Sequence, residues 1–296
     1  MSLHIRQSKQ WEEYFKKIRW KGVRIKNSSV LFFFKTPFGS FGKCQRPNLL
    51  GKKDLKEIDR VCKKERALFL KIELARDQNP KIFEEFGYVD SKFPLAPPST
   101  LIIDLTKTKD ALWGDLSKSG RYGARRANRE GAESVFHRNP TNEQMETYYE
   151  LQKSRSQKKK FYIAPLNDLL SRRDIFKENS FLGFVYDSEG SLAGGKFFLG
   201  YEDQALFLNG GMNEVGEKSR AGFDLMWESI LYFKKLGFKS FDLEGVYDAR
   251  YPKFTTKWIG FSRFKEKFGG EVVRFSPPKV KYFNFLFRFL SRCLSL

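Results

Sequence analysis

The chain has 296 residues, 41 % apolar and 16 % aromatic with 31 Phe, enough for one large domain or two ordinary ones, and a disordered chain is excluded. Its 55 Lys and Arg against 35 Asp and Glu leave a formal charge of +20, a self-repulsion that points to a polyanionic partner: nucleic acid, anionic lipid or a phosphorylated substrate. A solvated basic surface is the plain alternative. Cys44, Cys62 and Cys293 stand far apart without CxxC spacing, which speaks against a disulfide framework or a zinc site and for cytoplasmic thiols.

The start, "MSLHIRQSKQWEEY", lacks the apolar run of a signal peptide. No window holds the roughly 18 uncharged apolar residues of a membrane-spanning helix. "SKQWEEYFKKI" predicts a helix capped by Ser8, with Trp11, Tyr14, Phe15 and Ile18 on one face. "SSVLFFFKTP" predicts a buried strand ended by Pro37. "KKDLKEIDRVCKKER" is an amphipathic helix, "ALFLKIEL" a strand, and "NPKIFEEFGY" a short helix stopped by Gly87. "FPLAPPS" reads as an extended connector, and "TLIIDLT" as a further strand. Helices follow over about 109–130 and 141–157. "SFLGFVYD", "SLAGGKFFLGY" and "QALFLNGGM" form an antiparallel meander. "SRAGFDLMWESILYFKKLG" is a helix capped by Ser219 and stopped by Gly237, then come the strand "SFDLEGV", the turn "FSRFKEKFGG" and the strand "EVVRFSP". Each half thus reads as a similar α/β unit. The first is expected over 1–108, with 274–296 returning to pack on it, and the second over 109–273.

Several motifs bear on function. "GSLAGGKF" matches the phosphate-loop spacing, but Phe197 replaces the hydroxyl residue and the segment lies between two strands, so a β-turn is the better reading. His4 and His137 are the only histidines, which leaves almost nothing for a histidine-based triad. "SKSGRYGARRANREG" puts Arg121, Arg125 and Arg129 on one helical stripe beside Lys118. Like charges at that spacing repel, and a phosphate would relieve them. A solvated face is the equal alternative. Lys218 and Arg220 in "EKSRAGFD" are further phosphate-binding candidates. "FDLEGVYDARYP" ends a strand with Asp242 and Glu244 on one side, followed by Tyr247, Asp248 and Arg250. Such residues line clefts in α/β folds, although Arg250 paired with Asp248 or Glu244 would serve as a structural ion pair. In "KVKYFNFLFRFLSRCLSL", Lys281, Asn284, Arg288, Ser291, Arg292 and Ser295 fall on one helical stripe amid aromatics, so 279–296 suits an anionic membrane interface or a docked terminal helix. "WIGFSRFKEKFGGE" sets Lys265 between Phe264 and Phe268 and closes with Gly269 and Gly270. That lysine is either snorkelling or held where negative charge develops.

In order along the chain, "QSKQW", "PPSTLIIDL", "RYGARRANREG", "ALFLNGGM", "KKLGFKSFDLEGV" and "WIGFSRFKEKFGG" resemble the Fem-type aminoacyltransferases, the FemABX family that builds peptidoglycan bridges. The resemblance spans most of the chain and is to the compact type without a coiled-coil arm. It implies an α/β fold of two tandem acetyltransferase-like (GNAT) units with mixed, mostly antiparallel sheets. It implies transfer of an amino acid from aminoacyl-tRNA, a co-substrate in place of any cofactor, to a stem-peptide amine of a UDP-linked or lipid-linked muropeptide precursor. No metal is implied. The family's Phe-Lys pair matches Phe264-Lys265, with Lys265 facing the oxyanion. The implied substrate-binding set is Lys16, Phe207, Asn209, Glu244, Tyr247, Asp248, Arg250 and Trp258, and Arg121, Arg125, Arg129, Lys218 and Arg220 would meet tRNA phosphates. Glu244, Asp248 or the substrate itself would accept the amine proton. Phe207 and Asn209 stand where the family often has tyrosines, and Ala164 where an arginine is expected, with Lys158–Lys160 nearby. The expected place is the cytoplasm, at the inner face of the plasma membrane. The rival readings are an acyl-CoA N-acyltransferase, whose pyrophosphate turn "EKSRAGFD" does not reproduce, and a non-catalytic membrane-peripheral RNA-binding protein.

Overall fold

The computed structural model describes residues 4–160, 162–284 and Phe287. Two compact units emerge: Met1–Ser99 with Tyr247–Lys257 and Val273–Leu296, and Thr100–Val246 with Trp258–Val272. The boundary therefore lies at 99/100 rather than 108/109. Strand Ser99–Asp104 was expected to finish the first unit, but its hydrogen-bonding partners lie in the second sheet.

In the first unit, α1 (Lys9–Lys17) starts where Ser8 Oγ accepts the Trp11 amide at 3.0 Å, and it buries Trp11, Tyr14 and Phe15. Strands β1 (Lys21–Arg24), β2 (Val30–Thr36) and β3 (Gly39–Gln45) form an antiparallel meander. Helix α2 (Lys52–Lys64) crosses over to β4 (Ala67–Glu73), parallel to β3, and β5 (Val89–Asp90) follows. Leu31, Phe33, Ile58, Leu70 and Phe83 are fully buried in its core, each such side chain contributing about 1.5–3 kcal/mol. β1 and β3 carried no strand signal, since "KGVR" and "GSFGKCQ" are poor in β-branched residues.

The second unit begins with β6 (Ser99–Asp104), α3 (Lys109–Asp115) and α4 (Lys118–Arg129). The single helix expected over 109–130 is two, because Leu116 is extended and Ser117 Oγ caps a new helix through the Gly120 amide at 3.0 Å. Then come β7 (Glu133–Arg138), α5 (Asn142–Lys159), α6 (Leu166–Phe176), and the predicted meander β8 (Ser180–Tyr186), β9 (Leu192–Tyr201) and β10 (Gln204–Met212). Short α7 (Glu214–Lys218) precedes α8 (Ala221–Lys235). Ser219 does not cap α8: it ends α7, and α8 opens from Arg220 at φ 60° with no side-chain cap. Strand β11 (Ser240–Gly245) runs parallel to β10. α9 (Pro252–Thr255) belongs to the first unit, and α10 (Ile259–Lys265) and β12 (Glu271–Arg274) complete the second sheet's surroundings.

The final strand β13 (Lys279–Tyr282) inserts between β4 and β5. The amphipathic helix expected over 279–296 therefore does not begin at 279, and apart from Phe287 its remainder beyond 284 lies outside the described residues. The sheets read β1-β2-β3-β4-β13-β5 and β12-β6-β11-β10-β9-β8-β7. Both contain the same unit: three antiparallel strands, a crossover helix, a parallel fourth strand, and a fifth supplied from elsewhere in the chain.

Candidate active site

The parallel pairs of the two units differ. In the first, β3 and β4 stay paired from Ser40↔Ala67 to Gln45↔Glu73, and the Arg46 amide extends the ladder to the Glu73 carbonyl at 2.8 Å. In the second, β10 and β11 pair only over Gln204↔Ser240, Ala205↔Phe241 and Leu206↔Asp242. Beyond that point β10 bulges between Phe207 and Asn209, and the β11 register against β6 shifts between Asp242 and Gly245. The backbone groups freed by this divergence need other partners. One is found at once: the Gly245 carbonyl accepts a hydrogen bond from Lys265 Nζ at 2.8 Å.

Lys265 closes α10 and is 5 % exposed. Its ammonium lies 4.8 Å from the Phe261 ring and 5.5 Å from the Phe207 ring, so aromatic faces replace much of its hydration. Burial pulls its pKa from 10.5 to about 8, opposed by the charges of Glu244 and Asp242. Asp242 accepts from Thr100 Oγ1 and, at 2.7 Å, from the Glu244 amide. Glu244 itself stands at φ 61°, a left-handed conformation that costs a non-glycine residue about 1 kcal/mol or more. Lysine, carboxylates and a strained strand end thus converge where the sheet opens.

The neighbouring turn is fixed from behind. Phe264 packs 5.1 Å from Phe223 and 5.2 Å from Phe268, which is fully buried. The Lys267 carbonyl accepts the Ser117 amide at 3.0 Å, and a Cβ on Gly120 would strike that same carbonyl. Gly270, at φ 90°, lets the chain pass where a Cβ would lie 2.6 Å from the Ile102 carbonyl. The glycines that end "KFGG" therefore serve close backbone packing, which holds Lys265 in place.

A second buried lysine, Lys196 on β9, is the lysine of the "GSLAGGKF" match that the sequence reading put in a β-turn. It is 4 % exposed, donates to the Gly222 carbonyl at 3.2 Å, and lies 5.7 Å from the Phe264 ring. Burial takes its pKa from 10.5 to about 7, with Asp224 opposing. Asp224 accepts from Ser134 Oγ at 2.6 Å, and burial raises its own pKa. The phosphate-loop spacing drew attention to it, but Lys196 lies within strand β9 rather than in a turn.

The other predicted residues divide. Phe207, Asn209, Glu244, Trp258, Phe264 and Lys265 belong to the second unit; Lys16, Tyr247, Asp248 and Arg250 belong to the first. Asn209 Oδ1 accepts from Tyr148 Oη at 2.7 Å, and Trp258 lies 5.9 Å from Phe261. Lys16 and Tyr247 are exposed. Asp248 forms the ion pair with Arg250 that the sequence left open as its structural role. Burial alone would raise its pKa, but hydrogen bonds from the Arg250 side chain, Ser99 and the Arg250 amide bring it down to about 2. It accepts from Ser99 Oγ at 2.6 Å and Arg250 Nη2 at 2.7 Å, while Arg250 also donates to the carbonyls of Phe275 and Pro98.

Among the basic residues, Arg121 donates to the Gly114 and Leu116 carbonyls at 3.0 and 2.5 Å, Arg125 lies 5.4 Å over Trp113, and Arg129 is exposed. Lys218 is exposed, and Arg220 lies 5.4 Å over Tyr122, itself 53 % exposed. The stripe's repulsion is thus partly met by carbonyls and rings. His4 Nδ1 accepts the Arg6 amide, and His137 Nδ1 shares a hydrogen bond with Gln144, so both imidazoles have structural partners. Cys44 and Cys62 are buried, with their pKa values raised by burial. No described helix is long and apolar enough to cross a membrane.

No family model matches the sequence, and the search of curated proteins finds no match. Solved structures do match. FemX superposes with a TM-score of 0.81 at 14 % identity, covering 99 % of this chain and 95 % of that one. The C-terminal domain of a protein described as a lysylphosphatidylglycerol synthetase from Agrobacterium fabrum gives 0.66 at 11 % identity, covering 98 % and 91 %. A tandem GNAT protein of the clavulanic acid pathway gives 0.51 at 12 % identity, covering 86 % and 78 %. At these identities the likeness is one of fold, and the chain has the fold of FemX: two tandem acetyltransferase-like units with mixed sheets flanked by helices.

Proposed function

We propose that the chain is a tRNA-dependent aminoacyltransferase that forms a peptide bond on a stem-peptide amine of a UDP-linked or lipid-linked peptidoglycan precursor. The observation that carries this reading is Lys265: a buried ammonium, hydrogen-bonded to the Gly245 carbonyl, at the point where β10 and β11 part. The FemX-like fold, the +20 charge and the motif order support it. The acceptor nitrogen attacks the ester carbonyl carbon, and the carbonyl electrons move onto oxygen. Collapse of that intermediate forms the amide and expels the ribose oxygen, which takes a proton. Lys265, already desolvated, stabilises the oxyanion without reorganising. Of the two carboxylates first considered, Asp248 is committed to Arg250, which leaves Glu244 or the substrate to take the amine proton. Reaction at a charged tRNA places the protein on the cytoplasmic side of the envelope.

The test is transfer of radiolabelled amino acid from a pool of charged tRNA to muropeptide precursor, with acetyl-CoA as the alternative donor. Lys265→Met is expected to lower turnover about 10²–10³-fold while leaving the fold intact. Unchanged turnover in that variant, or transfer from acetyl-CoA alone, overturns the reading.

A further inference from the structure

The tip of the β2–β3 hairpin in the first unit has no part in the chemistry above, yet its composition is unusual. Phe38 sits on the turn between Pro37 and Gly39 and is 85 % exposed. Phe34 on β2 and Ile18 just after α1 are each 37 % exposed, and Trp20 lies 5.5 Å from Phe34. Beneath the tip, Lys35, Thr36, Pro37, Gly39, Lys64, Glu65 and Arg66 line a cavity of about 210 Å³. Glu65 is already engaged by Lys21 at 2.5 Å, so it does not neutralise Lys35, Lys64 and Arg66. Lys16, Lys17 and Arg19 stand exposed on the adjoining end of α1. Phe287 stacks on Phe69 at 5.6 Å and lies 5.9 Å from Phe41, adding apolar surface in the same unit.

At 85 % exposure the Phe38 ring buries little surface within the fold. Ringed by uncancelled cations, it has the arrangement that suits an anionic bilayer: an apolar side chain for the acyl boundary and ammonium or guanidinium groups for headgroup phosphates. RNA suits it less well, because stacking along a strand needs successive open ring faces. Here Phe38 stands alone, while Trp20 packs on Phe34 and has Lys43 Nζ at 4.2 Å over its ring.

We propose that this hairpin tip, with the C-terminal ends of α1 and α2, is a membrane-docking face: Phe38 enters the interfacial layer of a bilayer, and the cavity of Lys35, Lys64 and Arg66 receives the phosphate of an anionic lipid. It goes beyond the transfer reaction and does not depend on it.

The experiment is co-sedimentation of the full chain with vesicles of phosphatidylcholine alone and of phosphatidylcholine mixed with phosphatidylglycerol, in the absence of any substrate. Binding to the mixed vesicles only, weakening as salt rises, is expected. Phe38→Ser weakens it about tenfold, and Lys35→Glu with Arg66→Glu removes it. Phe93→Ser, an exposed residue (37 %) beyond the opposite end of β4, leaves it unchanged. In Phe38→Trp, brominated acyl chains quench additional emission. Equal binding to neutral vesicles, parent-like binding by Phe38→Ser, or unchanged vesicle binding by Lys35→Glu with Arg66→Glu overturns the proposal; in the last case a filter-binding loss of tRNA would assign the cations to RNA instead. Because no turnover is measured, failure here leaves the role of Lys265 standing, and failure of Lys265→Met leaves this one standing.

Discussion

Two buried lysines stand out at the scale of single residues. Lys265 holds its proton at neutral pH but loses it near pH 8. If its charge faces the oxyanion, turnover falls as pH rises through about 8, and a pH–rate profile showing no such limb would remove the cation from the mechanism. Lys196 predicts something separate about stability. Its pKa is about 7 in the folded chain against 10.5 for an ordinary lysine. Between those values the unfolded chain binds the extra proton, so stability rises with pH over that window. Lys196→Met removes the rise and is expected to melt no lower than the parent at pH 7, measured by thermal denaturation across pH 7–10. The sequence made Lys265 visible because a lysine among aromatics before two glycines is conspicuous. It gave Lys196 only as part of a turn, because its burial follows from Gly222 and Phe264, both remote in sequence. It also left Asp248 ambiguous, since Ser99, which helps fix its role, lies 149 positions away.

Among the elements, the geometry of the α10 turn depends on how closely α4 approaches it. Gly120→Ala places a methyl against the Lys267 carbonyl, a backbone atom that cannot swing aside. The expected cost is about 1–3 kcal/mol, read as a lower Tm, together with reduced turnover because the turn carries Lys265. A variant that melts lower yet turns over normally would separate the turn from the site. In the first unit, Asp248 and Arg250 join segments around 98, 248 and 275. Asp248→Ala is expected to cost about 2–4 kcal/mol, toward the low side because the Arg250 side chain is 40 % exposed and can rehydrate. Most helices and the central strands were readable from apolar period and caps. What escaped was β1 and β3, which lack strand-forming side chains, and the break at Leu116, where Ser117 could equally have stayed inside a helix. Sheet membership of β6 escaped because strand exchange leaves no mark on local composition, and β13 escaped altogether because the helical stripe of 279–296 concealed a strand that only its partners β4 and β5 define.

For the whole molecule, the charge of +20 predicts that affinity for tRNA falls at least about tenfold between 50 and 200 mM salt. A filter-binding series that stays flat across that range would dismiss phosphate contacts as the source of affinity. The repeated architecture has a numerical consequence. In the half formed by β3 and β4, admitting an acyl group would mean tearing open ladder hydrogen bonds worth about 1 kcal/mol each. The half formed by β10 and β11 is already parted. Of the two similar units, only one therefore offers an open parallel strand pair, and on the proposed reading only one acyl site. A non-hydrolysable aminoacyl-RNA analogue should saturate at one equivalent per polypeptide, and a stoichiometry of two would mean that the closed half yields more readily than its hydrogen bonding implies.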